Sequence, residues 1–489
     1  MIKIQVNSEM FAYDLYHITK AFYPGRQIEQ AITASCEDAI ELYIGENVFR
    51  IEEEELSKLQ DRQSKKRHVN FKVYDWLAGM TGKQLSWGIM TGVRPTKPMM
   101  QLLEEEMTDA RIVDWMKEHY KVTDEKATLG LQVAKKEKAL LEQLDYQDGY
   151  SLYIGIPFCP STCSYCSFTS YPIAGWKHRV EAYLDAVCRE LTFLASVSRQ
   201  KKLNTIYIGG GTPTTLEPKQ LDRLLTHLER NFSYQDLKEI TVEAGRPDSI
   251  TREKLEVLKR HHIGRISINP QTMQPKTLER IGRKHTVEDI RTVYALTREM
   301  GFENINMDLI AGLPGETVAD MQDTLEQVKT LAPDSLTVHA LAMKRASKLG
   351  QERRRQIETE MIDNREEAEI ADSLSQMVAL AGDYAKQMGL EPYYLYRQKN
   401  IAGNFENVGY AKVDKAGIYN ILIMEEKQSI IAVGAGASTK IVVPEGQVVI
   451  DTKTGNPKKI IRSENVKDIE QYISRIDEMI ERKGELLWH

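Results

Sequence analysis

Between residues 150 and 341 one pattern recurs six times: a short apolar run, a turn rich in Gly, Pro or Ser, then a charged amphipathic stretch of helical period. The apolar runs span residues 151–157, 205–208, 239–242, 264–268, 304–310 and 335–341 and predict six strands. Between the first two, Val180, Leu184, Val187, Leu191 and Leu194 recur at spacings of four and three, the core-facing stripe of a helix. Strands that alternate with helices pair in parallel through right-handed crossovers. Six such units fall short of the eight of a closed barrel. The expected fold is therefore α/β, with a partial six-stranded (β/α)6 barrel over residues 150–345.

The flanks lack this period. Residues 1–149 read as a separate α+β region, with strands at 2–6 and 41–51, helices at 74–87 and 99–117, and a charged linker helix at 121–145. Inside it, residues 90–97 (MTGVRPTK) gather Gly, Pro and two cations in a turn between helices. Residues 346–489 read as a C-terminal region of helix and strand: a long helical stretch to 388, β-like runs at 418–424 and 429–433, and an amphipathic helix at 466–482.

A chain of 489 residues accommodates two to four domains, or one large α/β domain with appendages. It contains no run of ~18 to 20 apolar residues, and its start lacks the basic-then-apolar plan of a signal peptide, so a cytoplasmic protein without a membrane span is expected. With 65 Lys and Arg against 71 Asp and Glu, a net charge of -6 gives no footprint for nucleic acid. Five cysteines do not make a disulfide scaffold, yet Cys159, Cys163 and Cys166 fall within eight residues.

Those three thiols stand at CxxxCxxC spacing in the loop after the first strand. Three thiolates in one loop can converge on an iron–sulfur cluster and leave one iron open to a substrate or cofactor. A zinc site borrowing a fourth ligand and chance clustering are the other readings. Zinc sites commonly use paired CxxC arms, and no second arm follows here. Cys36 and Cys188 are isolated, and Cys188 lies one turn beyond Leu184 as a core residue.

Directly after the second strand come Gly209, Gly210, Gly211, Thr212 and Pro213, where glycines let the backbone approach a ligand and offer it N–H groups. Ligands of parallel barrels bind at the C-terminal strand ends. Those ends carry the cysteine loop, the glycine loop, Glu243, Gln271 and Asp308 in turn. A buried carboxylate needs a partner, so Glu243 and Asp308 either bind a ligand's amine and hydroxyls or meet a cation such as Arg283.

CxxxCxxC with an aromatic, Tyr165, before its last cysteine, followed by GGGTP, resembles the radical S-adenosylmethionine (radical SAM) superfamily. Residues 153–159 (YIGIPFC) with GGGTP resemble its oxygen-independent coproporphyrinogen III dehydrogenase family, most closely over 150–345. The long N-terminal region, MTGVRPTK, residues 337–349 (TVHALAMKRASKL) and residues 393–400 (YYLYRQKN) are similar to the HemZ branch of that family.

The resemblance implies a [4Fe-4S] cluster held by Cys159, Cys163 and Cys166, with the amino and carboxylate groups of SAM on its open iron. Tyr153 and Tyr165 would lie near the cofactor; Gly210, Gly211 and Thr212 would meet the methionine part of SAM and Glu243 its ammonium or ribose. Gln271, Arg283 and Asp308 would bind ribose and carboxylate, with Ala342 beside the adenine. The implied reaction begins when the reduced cluster gives an electron to SAM, releasing methionine and a 5′-deoxyadenosyl radical. The radical takes hydrogen from the β-carbon of a propionate, and loss of carbon dioxide and one electron leaves a vinyl group. Two rounds convert coproporphyrinogen III to protoporphyrinogen IX in heme biosynthesis. Implied partners are the tetrapyrrole and a low-potential electron donor such as flavodoxin or ferredoxin. Arg397, Lys399 and Arg94 are candidate cations for the substrate's four carboxylates.

Two features depart from the family pattern. Phe168 stands where some members have a further cysteine, an ending shared with the heme-chaperone branch. That branch carries His-Asn-x-x-Tyr-Trp in its C-terminal region, where residues 406–411 here read Glu-Asn-Val-Gly-Tyr-Ala. Glu406 thus replaces a natural iron donor. The alternatives on this scaffold are a heme-binding chaperone and a radical SAM enzyme acting on heme or another porphyrin.

Overall fold

The computed structural model describes residues 2–24, 26–33, 38–341, 347–358, 364–397, 405–444, 446–450 and 457–488. Four N-terminal strands, β1 (Ile2–Val6), β2 (Ile28–Ile32), β3 (Asp38–Ile44) and β4 (Asn47–Glu52), form a sheet in the order β2-β1-β3-β4. The run expected as strand at 41–51 is the β3–β4 hairpin, which turns at Gly45 with a φ of +61°. Helices Glu9–Phe22 and Arg62–Thr81 cover the sheet, and Ile4, Leu15, Ile18, Val69 and Val73 make its own core. The second helix starts and stops earlier than the periodicity implies, for two local reasons. Asp61 caps it by accepting from the amides of Gln63 and Ser64, and Gly82, in the left-handed region, ends it.

Helices Thr96–Glu104, Asp109–Tyr120 and Asp124–Leu141 follow. They do not belong to the N-terminal core: Trp87, Met99, Ile112, Met116 and Leu131 join the large core of the barrel. Leu85 and Ile89 still pack in the N-terminal core while Trp87 and Met90 pack in the large one, so the two cores meet between residues 85 and 90.

All six expected barrel strands are present: β5 (Gly149–Ile156), β6 (Lys202–Gly210), β7 (Glu239–Gly245), β8 (Arg265–Ile268), β9 (Ile305–Ala311) and β10 (Ser335–Ala340). Neighbours pair in parallel in sequence order. Helix Val180–Val197 buries Val180, Leu184, Val187, Leu191 and Leu194, the stripe its spacing predicts.

The C-terminal region extends this sheet at both ends. Strands β11 (Glu391–Arg397) and β12 (Glu406–Ala411) add antiparallel beyond β10, while β13 (Ser429–Val433) adds parallel beside β5, followed by β14 (Ser438–Val442) and β15 (Ile460–Glu464). The order is β11-β12-β10-β9-β8-β7-β6-β5-β13-β14-β15.

Residues 418–424, expected as strand, are the helix Ile418–Glu425. A short, mostly apolar run carries no period to decide its type, and tertiary partners decide it here. Glu239 accepts from the amides of Ile418 and Tyr419, and Arg94 donates to the carbonyls of Met424 and Glu425 at 2.8 Å each. The final helix is two, Ile469–Ser474 and Ile476–Gly484. Among the described residues no helix is long and apolar enough to cross a membrane.

Candidate cofactor site

The cysteine loop leaves the C-terminal end of β5 and is fixed by backbone bonds of its neighbours. The Ser164 amide donates to Ile281 O at 3.0 Å, the Leu349 amide to Ser164 O at 3.1 Å, and the Ser161 hydroxyl to Gly282 O at 3.0 Å. Cys163 is buried and Cys159 and Cys166 are partly buried. Burial pushes the Cys159 thiol up to about 11 and the Cys166 thiol upward too, so loading iron on the thiolates releases protons.

The glycine loop is welded to the cysteine loop. Gly211 and Thr212 direct their amides to Ile156 O and Phe158 O at 2.8 and 2.7 Å, and the Thr212 hydroxyl donates to the Cys159 sulfur at 3.6 Å. These two amides are therefore taken by the protein, unlike the ligand-facing N–H groups expected from the sequence. What Gly211 provides is closeness: a Cβ there would lie 2.6 Å from Phe158 O. Gly210, at a φ of +107°, turns the strand end while its amide donates to Glu243.

Glu243 lies partly buried near the end of β7 and accepts a hydrogen bond from the Tyr207 hydroxyl. Burial pushes its carboxyl up to about 7, Asp308 adding to the rise and Tyr207 and the Gly210 amide opposing it. Tyr153 stands opposite Tyr207 on β5, and Tyr419 stacks on Tyr207 at 4.4 Å between ring centres. Gln271 holds a φ of +69°, bridged into β9 by amide bonds with Asp308 O and Ile310 N at 2.9 Å each. Asp308 accepts from the Asn306 side chain at 2.7 Å. Arg283 donates to Asn269 O and, at 3.0 Å, to the Tyr165 hydroxyl.

The rim thus gathers Tyr153, Tyr165, Gly210, Gly211, Thr212, Glu243, Gln271, Arg283 and Asp308 round the cysteine loop, while Ala342 lies outside the described residues. The sequence reading missed Tyr207, Asn269, Arg246 and His339. Strand alternation from Tyr153 through its register partner points to Tyr207. His339, on β10, meets the Tyr396 hydroxyl at 3.3 Å. The two described cations expected for substrate face elsewhere. Arg94 caps the helix Ile418–Glu425, and Arg397, 2 % exposed, donates to Met90 O at 2.7 Å. Lys399 lies outside the described residues.

Residues 153–328 match the Radical SAM superfamily. The oxygen-independent coproporphyrinogen-III oxidase-like protein HemZ of Bacillus subtilis (strain 168) is 42 % identical over 424 residues, 86 % of this chain and 80 % of that protein. Heme chaperone HemW of the same organism is 40 % identical over 192 residues, 39 % of this chain and 50 % of that protein. Oxygen-independent coproporphyrinogen III oxidase of Escherichia coli (strain K12) is 33 % identical over 188 residues, 38 % of this chain and 41 % of that protein. Among solved structures, coproporphyrinogen III oxidase (HemN) from Escherichia coli shares the fold, with a TM-score of 0.51 and 22 % identity over 70 % of this chain and 73 % of that one. The fold and the cysteine loop define a radical SAM protein. The chain belongs to the HemN- and HemZ-like family of that superfamily.

Members of the superfamily use a [4Fe-4S] cluster and SAM, and the residues present fit both. The donor set is three cysteines from one fixed loop. Among the described residues no three His, Cys, Asp or Glu side chains converge as a single ion would require, and a four-iron cluster bonds each thiolate to a different iron. Beside the loop, Ser164 Oγ, Asn269 Oδ1, Gln271 Oε1 and Arg283 Nε are buried without partners, a polar lining suited to the hydroxyl, amino and carboxylate groups of SAM.

Proposed function

We propose that this protein oxidatively decarboxylates two propionates of coproporphyrinogen III to vinyl groups, with an external flavodoxin- or ferredoxin-type donor supplying the electrons. The bound cluster supplies one-electron cleavage of SAM to a hydrogen-abstracting radical. The chain's own residues do the rest. The three cysteines hold the cluster, Gln271, Arg283 and Asp308 orient SAM, Glu243 meets its ammonium or ribose, and the glycine loop brings backbone close to the methionine part.

One observation favours this reading over heme carriage. Glu406, at the position where the chaperone branch has histidine, is fully buried: its carboxylate accepts from Trp87 Nε1 at 2.7 Å and pairs with Lys126 Nζ at 2.8 Å. A carboxylate so engaged offers no axial donor to a heme iron. Anaerobic incubation with SAM, reductant and coproporphyrinogen III should release carbon dioxide and give mono- then divinyl products, with deoxyadenosine formed in step. Heme bound one-to-one by a protein that cleaves SAM yet leaves every propionate intact would make it a carrier, and a changed heme or other porphyrin would identify a different substrate.

A pH profile tests Glu243. With its carboxyl near 7, it is ionised above that pH and protonated below. SAM affinity of the cluster-loaded protein, divided by that of Glu243→Gln at the same pH, should be constant above pH 8. It should fall as the pH drops through 7 and level off near one where Glu243 is protonated and as neutral as the glutamine that replaces it. A flat ratio removes Glu243 from SAM binding.

A further inference from the structure

Cys163 faces a buried cation that the SAM-binding set does not contain. Arg246 follows directly after β7 and is 3 % exposed. Its Nη1 lies 3.6 Å from the Cys163 sulfur and also donates to Ser161 O at 3.3 Å and Ser161 Oγ at 3.2 Å. The other edge of the guanidinium is locked. Nε and Nη2 donate to Oδ1 and Oδ2 of Asp248 at 2.9 and 2.8 Å, a bidentate pair. Behind Asp248 stands His285, its side chain fully buried and its Nδ1 3.6 Å from Asp248 Oδ1. The turn is rigid as well, because Arg246 N bonds Ala244 O at 2.6 Å and Ser249 N bonds Arg246 O at 2.9 Å.

A buried ion pair between residues two apart is weak evidence for stability. Its direction is the informative part, since the N–H groups that Asp248 leaves over are aimed into the cysteine loop. Hydrogen bonds to the sulfurs and nearby net charge are levers on the reduction potential of an iron–sulfur cluster. Reduction adds one electron from an external one-electron donor and breaks no bond, so the ligand set gains one negative charge. A fixed guanidinium against one of three ligand sulfurs favours that more negative state. The carboxylate of Asp248 opposes it.

We propose that Arg246, aligned by Asp248, is a positioning residue that raises the reduction potential of the cluster and so eases its loading by a low-potential donor, with Asp248 limiting the rise. The inference rests on the cluster and not on the identity of the substrate.

The test uses anaerobically reconstituted full-length protein without SAM, with iron counted per chain and the potential read by mediator titration against the electron paramagnetic resonance signal of the reduced cluster. At wild-type iron content, Arg246→Gln should move the potential to more negative values and Asp248→Asn to more positive ones, while Arg246→Lys, which keeps the charge, should fall nearer wild type. A structural role alone gives no such opposed pair of shifts. Fully loaded Arg246→Gln and Asp248→Asn proteins with unchanged potentials, or with shifts of one sign, overturn the proposal. If Arg246→Gln fails to hold iron, Asp248→Asn decides: a positive shift supports the assignment and an unmoved potential ends it.

Discussion

Alanine at Cys159, Cys163 or Cys166 is expected to leave a folded protein that neither retains the cluster nor forms deoxyadenosine above background. The loop keeps its path without the sulfurs, because Ser164 is held by Ile281 and Leu349 on either side and Ser161 by Gly282. Circular dichroism should therefore match wild type while bound iron is lost. Cys188→Ala is the control. Its thiol is buried in helix Val180–Val197 near Arg223 and Asp185, and the variant should keep full iron and full SAM cleavage. Cys36 lies outside the described residues and is expected to behave as Cys188 does. An undiminished cluster in Cys163→Ala would remove the three-cysteine assignment.

The barrel was legible because its information is local and repeated. Each strand is an apolar run closed by a turn, and Gly210, Glu243 and Asp308 lie at strand ends that the runs themselves mark, with Gln271 just beyond one. What was not legible depends on partners far away in sequence. The helix Ile418–Glu425 is set by Glu239 at one end and Arg94 at the other, both more than a hundred residues away, so its own eight apolar-rich residues could not declare it. The same holds for the candidate cations. Arg94 and Arg397 look available for a carboxylate-bearing substrate in sequence, yet backbone carbonyls of Met424, Glu425 and Met90 take them. The role of the glycine loop was half legible. Its need for small residues was clear, whereas the capture of the Gly211 and Thr212 amides by Ile156 and Phe158 follows only from the path of the cysteine loop. Arg246 carried a faint signal, being the first cation after Glu243 on the same loop.

Removing Lys126 should cost the fold several kcal/mol, about 3 to 5. Its side chain is 9 % exposed and its ammonium meets Glu406, whose side chain is wholly buried and hydrogen-bonded to Trp87. Burial works against the charge of Lys126, and Glu406 together with Glu125 outweighs it, so its pKa is raised. Lys126→Met leaves a buried carboxylate without its ammonium partner, though Trp87 still donates to it and the charge of Arg397 still acts on it, at a cost of about 3 to 5 kcal/mol. The double variant Lys126→Met with Glu406→Gln removes both charges and should recover most of that loss, since a buried pair replaced as a pair is close to neutral. Guanidinium unfolding followed by circular dichroism reads both, and a Lys126→Met midpoint equal to wild type would show that the pair does not hold this interface. Lys126 and Trp87 come from the segment that packs against β11 and β12, so the N-terminal helices wall this end of the sheet.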